Sequence, residues 1–391
     1  MNSDQTYFTE KRTILEHLIS GGVKDLKPVI EILLNEAMKI EREEALKAAP
    51  YERNPERTGH ANGFKDREYA SRMGSLRIQI PQVRGLSFYP RCLEKGERCE
   101  RALKLAVAEM YIKGVSTRRV SAITEELCGY ELSSTQVSRC AIALDEELQK
   151  FRERPLAGKY AYVYFDAEYE KIRHDNTVID MATLIAIGVN EDGKREILGI
   201  SSRLSEAEVH WRALFEDLQK RGLSGVRLFI SDAHAGMAAA RKTIFPSVKW
   251  QRCQFHLAQN AQSYAPKEAM KKDIAEALRR IFQSHDYAAA QEEKRKCIEK
   301  YKISAPEFVK WLEDNVEEGL TCFSFPEAHR KKIRTVNGLE RLNKEIRRRT
   351  RVVMLFPSVA SCERLITGVL QGVHEEWITG KRYLDMSLLR S

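Results

Sequence analysis

Three acidic residues, Asp166, Asp232 and Glu340, sit where a carboxylate has little reason to be unless it binds something. Asp166 closes the apolar run YAYVYFD and Asp232 closes VRLFISDAH, so each is expected at the end of a buried strand. Glu340 lies inside RTVNGLERLNKEIRRRTR, among Arg334, Arg341, Arg347, Arg348, Arg349 and Arg351. Carboxylate oxygens suit hard divalent cations, and a pair of such ions activates attacking and leaving oxygens in phosphoryl transfer. Arginines around the third acid add phosphate recognition. The three acids together point to phosphoryl transfer on nucleic acid. Each also has a plainer reading: Asp166 as a turn former, Asp232 as a helix cap, Glu340 as a solvated partner of Lys344 at i+4.

Neighbouring residues extend the chemistry. His234 follows Asp232 closely and is expected either to touch phosphate or attacking water, or to lie idle in a loop. Cys253 and His256, in WQRCQFHL, have the spacing of half a metal site. With no second such pair at zinc-finger spacing, a structural role is expected, and a metal site beside the carboxylates stays open. There is no G-x-S-x-G elbow, phosphate-binding P-loop or dinucleotide glycine fingerprint, which argues against nucleophile-elbow hydrolases and nucleotide-driven motors.

The elements needed to position these groups read as a multidomain α+β chain. Residues 1–50 are expected to be helical, with one apolar stripe at Leu15, Leu18 and Ile19 and another at Val29, Ile30, Ile32, Leu33 and Met38. Residues 51–95 form a small basic module with β-strands, in which SLRIQIPQVR alternates Leu76, Ile78 and Ile80 with polar residues. Residues 96–152 read as three helices, the last being SSTQVSRCAIALDEELQK, with Ser116 and Ser133 as N-caps and the turn CGYEL between the second and third. A Gly-containing turn before Ser134, Gln136 and Arg139 fits a helix-turn-helix that reads DNA with those three residues; an ordinary three-helix bundle is the alternative.

Residues 153–256 change to strands: YAYVYFD, EYEKIRH, VIDMATLIAIGV and REILGISS, then a helix, then VRLFISDAH and KWQRCQFH. Antiparallel strands followed by a crossover helix describe a mixed sheet of the ribonuclease H type, in which the strands carrying Asp166 and Asp232 become parallel neighbours. Residues 257–328 form an all-helical insertion, and 329–391 complete the catalytic core with the Glu340 helix, starting near Asn337.

Bulk properties agree. The net charge is +9, which suits a polyanionic partner. Hydrophobic residues make up 43% and charged residues 31%, which excludes wholesale disorder. No apolar stretch approaches the roughly 20 residues of a membrane span, and MNSDQTYFTEKR lacks a signal-peptide core. The eight cysteines are scattered without a CxxC pair, so reduced thiols and a cytoplasmic, nucleoid-associated protein are expected.

Five ordered segments carry a family resemblance: KLAVAEMYIKGVSTRRVSAITEELCG, YVYFDAEYEKIR, GLSGVRLFISDAHAGM, WQRCQFH and NGLERLNKEIRRRTRVVMLFPS. The chain resembles the Mutator-type bacterial insertion-sequence transposases of the DDE class. The resemblance implies that Asp166, Asp232 and Glu340 are the metal-binding catalytic triad, using Mg²⁺ with Mn²⁺ as a substitute. It implies that Cys253 and His256 form a C-x-x-H signature and that Arg341 and Asn343 belong to an E-R-x-N block. Arg341, Asn343, Lys344, Arg347 and Arg348 are then expected on DNA. Double-stranded DNA, as terminal inverted repeats and target, is the expected partner, with cleavage, strand transfer, often a circular intermediate, and at least a homodimer for synapsis. A structure-selective nuclease or resolvase on a similar sheet, and a catalytically silent DNA-binding regulator, are the alternatives.

Overall fold

The computed structural model describes residues 3–22, 26–93, 95, 99–129 and 131–389, which form two units, 1–144 and 145–391. The first begins with α1 (Ser3–Gly21) and α2 (Lys27–Leu46), followed by β1 (His60–Ser71) and β2 (Gly74–Arg84) as an antiparallel pair. Leu76, Ile78 and Ile80 of β2 bury against Met38 of α2, as their period-2 alternation requires. β1 carries no such signal, because its first seven residues are all exposed; its sequence HANGFKDREYAS reads as a polar break. The expected module boundary at 95/96 adjoins residues 94 and 96–98, which lie outside the described residues, as does Tyr130 in the turn CGYEL.

Three helices follow, α3 (Arg101–Ile112), α4 (Thr117–Cys128) and α5 (Ser134–Ala141), around Leu103, Val107, Val120 and Val137. Ser116 caps α4 by accepting from the Arg119 amide at 3.3 Å. Ser133 and Gln136 form a reciprocal capping box at the start of α5. The third helix does not run on to residue 150. It breaks at a 3-10 turn, Ile142–Leu144, and α6 (Asp145–Glu153) belongs to the second unit. There the guanidinium of Arg364 holds the Asp145 carboxylate at 2.8 Å.

The second unit is built on β3 (Tyr162–His174), β4 (Thr177–Val189), β5 (Arg195–Arg203), β6 (Leu228–Ser231) and β7 (Lys249–Arg252), in the order β5-β4-β3-β6-β7. β3, β4 and β5 are antiparallel neighbours; β6 and β7 run parallel to β3. YAYVYFD and EYEKIRH are one strand, not two, because β4 pairs with it from Tyr162↔Val189 to His174↔Thr177. Asp166 is therefore mid-strand. What ends beside it is β6.

Helix α7 (Glu208–Lys220) makes the crossover to β6, and α8 (Ala235–Ile244) connects β6 to β7. Odd-numbered β3 residues face this layer: Phe165 packs edge-on against Trp211, Phe215 and Phe229, with centroids 5.0–6.2 Å apart.

After β7 come α9 (Gln254–Ala261), α10 (Glu268–Phe282), α11 (Tyr287–Tyr301) and α12 (Pro306–Asn315), which close a separate core around Leu278, Phe308 and Leu312. Two buried glutamines bring the far end of this insertion back. Gln251 Nε2 and Gln254 Nε2 each donate to the Gly319 carbonyl at 2.8 Å, and the Cys322 amide donates to Gln251 Oε1 at 2.6 Å. The chain then runs through α13 (Glu327–Ile333), α14 (Asn337–Thr350) and α15 (Val359–Thr379).

Even-numbered β3 residues read this returning segment in order. Tyr162 meets His329 Nδ1 (2.8 Å) and Tyr164 donates to the Lys332 carbonyl (3.2 Å), both on α13. Asp166 accepts from Asn343 at 2.8 Å, and Glu168 pairs with Arg347 through two hydrogen bonds, both on α14. Two strand residues advance about 6.7 Å and four helical residues about 6 Å, so the two ladders stay in step. No helix among the described residues is long and apolar enough to cross a membrane.

Candidate active site

The parallel register Tyr162↔Leu228, Tyr164↔Ile230, continued by two, sets Asp232 opposite Asp166. Both line a cavity of about 270 Å³ together with Tyr169, Glu206, His234 and His256. Asp166 Oδ1 accepts from the Ala167 amide at 3.0 Å and Oδ2 from Asn343 Nδ2 at 2.8 Å. Loss of water raises the Asp166 carboxyl to about 6, and the charges of Asp232 and Glu168 push the same way against those two hydrogen bonds.

Glu340 stands in the first turn of α14, one turn before Asn343 and two before Arg347, and does not itself line the cavity that holds Asp166 and Asp232.

Cys253 is fully buried as the N-cap of α9, and its amide donates to the Ser231 carbonyl at 2.8 Å, beside Asp232. His256, in the first turn of α9, sets Nδ1 against Asp232 Oδ1. Asp232, then Cys253, hold the imidazole protonated, raising its pKa to about 10. The Cys253 thiol accepts from the Val336 amide at 3.4 Å, on the approach to α14. His234 caps α8, with Nδ1 3.7 Å from Glu206 Oε2.

Several residues expected on DNA are committed within the protein. Asn343 orients Asp166, Arg347 neutralises Glu168, Arg348 pairs with Glu345 at 2.8 Å, and the Gln136 side-chain oxygen closes the capping box. Arg341 and Lys344 are exposed on α14, as are Ser134 and Arg139 on α5. Glu206, which stands just before α7, was not legible as a site residue: an acid at a helix start reads as a dipole partner.

The oxygens available fit a hard cation. Asn343 Oδ1 is buried without a hydrogen-bond partner among the described residues, on the side chain that donates to the desolvated Asp166. One consequence is measurable without substrate. The Asp166 pKa is raised on folding, so its stabilising contribution is complete below about pH 4 and disappears as pH rises through 6. In metal-free buffer, wild type should lose roughly 3 kcal/mol relative to Asp166→Asn between pH 4 and 7. Urea denaturation of both proteins across that range checks it, and parallel curves would refute it.

Two aspartates at adjacent parallel strands, with an arginine-rich helix docked on the first through Asn343, define a carboxylate-centred site on a mixed α/β sheet. The sequence profile described as "Transposase, Mutator family" matches residues 5–380. The transposase for insertion sequence element IS406 of Burkholderia multivorans is 47% identical over 95% of this chain and 96% of its own length. The ISRM5 transposase of Rhizobium meliloti is 40% identical, over 95% of each chain. The transposase for IS256 in transposon Tn4001 of Staphylococcus aureus is 37% identical, over 97% of this chain and 99% of its own. The chain belongs to the Mutator family of transposases.

Proposed function

We propose that this transposase is of the DDE type, with a ribonuclease H-like sheet on which Asp166, Asp232 and Glu340 hold divalent magnesium, or manganese in its place. The observation that carries this reading is the meeting of the β3 and β6 aspartates in one cavity, with the helix that bears Glu340 held to Asp166 through Asn343. The three-antiparallel-then-two-parallel strand order supports it. When bound, a divalent pair supplies Lewis-acid activation of an attacking oxygen and charge stabilisation of a leaving one. Asp166, Asp232 and Glu340 contribute the oxygens, and Asn343 fixes the Asp166 carboxylate. Arg341 and Lys344, exposed one residue either side of the Leu342–Asn343 packing face, hold the phosphate backbone.

The substrate is double-stranded DNA: the terminal inverted repeats of an insertion sequence, cleaved and then joined to a target, with a circular intermediate. Synapsis of two ends calls for at least a homodimer. The apolar stripe of α1 supports that reading, because Leu15 and Ile19 are 57% and 82% exposed. The test is labelled element-end DNA with Mg²⁺, comparing wild type with Asp166→Ala. Nicking and joining at the ends, lost in the variant, are expected; binding without cleavage under either Mg²⁺ or Mn²⁺ would sink the proposal.

End recognition is assigned to α5. Arg139→Ala should weaken end binding about tenfold, within the 1–3 kcal/mol range of a base contact, and leave the melting temperature unchanged. Unchanged affinity in a gel-shift titration would place recognition elsewhere.

A further inference from the structure

The carboxylate reading leaves Cys253 and His256 without a task, although the fold brings both to Asp232. We propose that Asp232, Cys253 and His256 form a three-ligand site for a borderline transition metal of the Zn²⁺ class, distinct from the hard-cation site and sharing Asp232 with it. Their ligand atoms all lie within 4.8 Å of one another. Tetrahedral zinc, with bonds of ~2.0–2.3 Å, separates its ligand atoms by about 3.3–3.6 Å, so small side-chain rotations close the site.

Two further observations point to a ligand. Asp232 Oδ1 and His256 Nδ1 face one another as an ion pair, and the buried Cys253 sulfur closes the triangle of ligand atoms. A cation among the three would replace the proton that the imidazole now holds against Asp232. The donor set is thiol, imidazole and carboxylate, the chemistry that separates zinc from magnesium.

The surroundings suit a metal as well. Cys253 is sealed at the bottom of the site, and the Val336 amide on its sulfur stabilises the thiolate that a metal requires. Asp232 and His256 keep 43% and 31% of their side chains exposed, which leaves an entry path and an open fourth position. Binding would release the thiol proton and any proton on the ring, so affinity should rise with pH. Three ligands would join the end of β6 to the start of the helical insertion, with the approach to α14 tied on through Val336. Zinc there would also withdraw Asp232 from magnesium, a consequence that rests on the proposed DDE reading.

Cobalt titration of the reduced, full-length protein without magnesium tests the site. One Co²⁺ per chain should give a thiolate-to-cobalt charge-transfer band in the near ultraviolet with tetrahedral visible bands, both displaced by Zn²⁺. Cys253→Ser should lose the charge-transfer band, and His256→Asn should bind Co²⁺ at least ~10-fold more weakly. Asp166→Asn and Glu340→Gln should keep the band, which separates this site from the fate of the catalytic reading. No thiolate band in wild type, or an undiminished band in Cys253→Ser, would overturn the proposal. If Cys253→Ser fails to fold, X-ray absorption of the wild-type zinc complex decides: one sulfur ligand is expected, and none refutes the site. In the end-cleavage assay, Zn²⁺ equimolar with protein should inhibit wild type at millimolar Mg²⁺ and Cys253→Ser far less. Equal inhibition of the two would refute the competition.

Discussion

Glu340→Gln should abolish end cleavage while leaving DNA affinity intact. The substitution keeps size and hydrogen-bonding capacity but removes the charge that a divalent cation needs from its ligand. A fall of about 10³-fold or more in the cleavage rate is expected, on the order of 4 kcal/mol of barrier. Affinity for element-end DNA should stay equal or tighten slightly, because a negative charge close to phosphate is gone. The comparison is a single-turnover cleavage assay beside a gel-shift titration. Parallel loss of both would make Glu340 a structural member of α14 and return the third-ligand role to another acid, with Glu206 in the same cavity as Asp166 the first to test.

Arg347→Ala should act through the fold before it acts on DNA. Its guanidinium is bidentate on Glu168, whose side chain is 3% exposed, while Arg347 itself keeps 54% of its side chain in water. Removing the arginine strands a buried charge. The cost is estimated at roughly 2–4 kcal/mol, below that of a wholly buried pair because one partner is half-exposed. The second unit should melt about 5–15 °C lower. Cleavage should fall as well, because the same ladder holds Asn343 on Asp166. The double variant Glu168→Gln, Arg347→Met should recover most of the stability. If Arg347 served only to bind phosphate, Arg347→Ala would weaken DNA affinity and leave the melting temperature unchanged.

The Arg347 pairing also marks where sequence stopped being informative. An arginine-rich flank around a glutamate reads as a phosphate-binding surface, yet Arg347, Arg348 and Asn343 are each held by protein carboxylates. Charge composition counts cations without showing which already have partners. Period-2 patterning was legible wherever one face was buried and the other wet, as at Leu76, Ile78 and Ile80. It failed for β1, whose first seven residues are exposed without alternation, and it split β3 in two because polar residues follow Asp166. Capping chemistry was legible at Ser116 and Ser133 because those bonds are local. The same locality hid the 3-10 break at Ile142–Leu144, where Asp145 is drawn to Arg364 of α15, more than 200 positions away.

The sequence by itself determined which residues could do chemistry, Asp166, Asp232, Glu340, Cys253 and His256, and the order of the elements carrying them. Those depend on side-chain identity and short-range periodicity, which are written along the chain. Only the tertiary structure decided their grouping. The parallel register of β3 with β6 sets the two aspartates opposite one another, and β7, one strand further, delivers Cys253 and His256 to Asp232. Return of Glu340 depends on buried hydrogen bonds from Gln251 and Gln254 to Gly319 and on the β3–α14 ladder. Those pairings span tens to nearly two hundred residues, and their energy exists only once the sheet and the insertion have closed on each other.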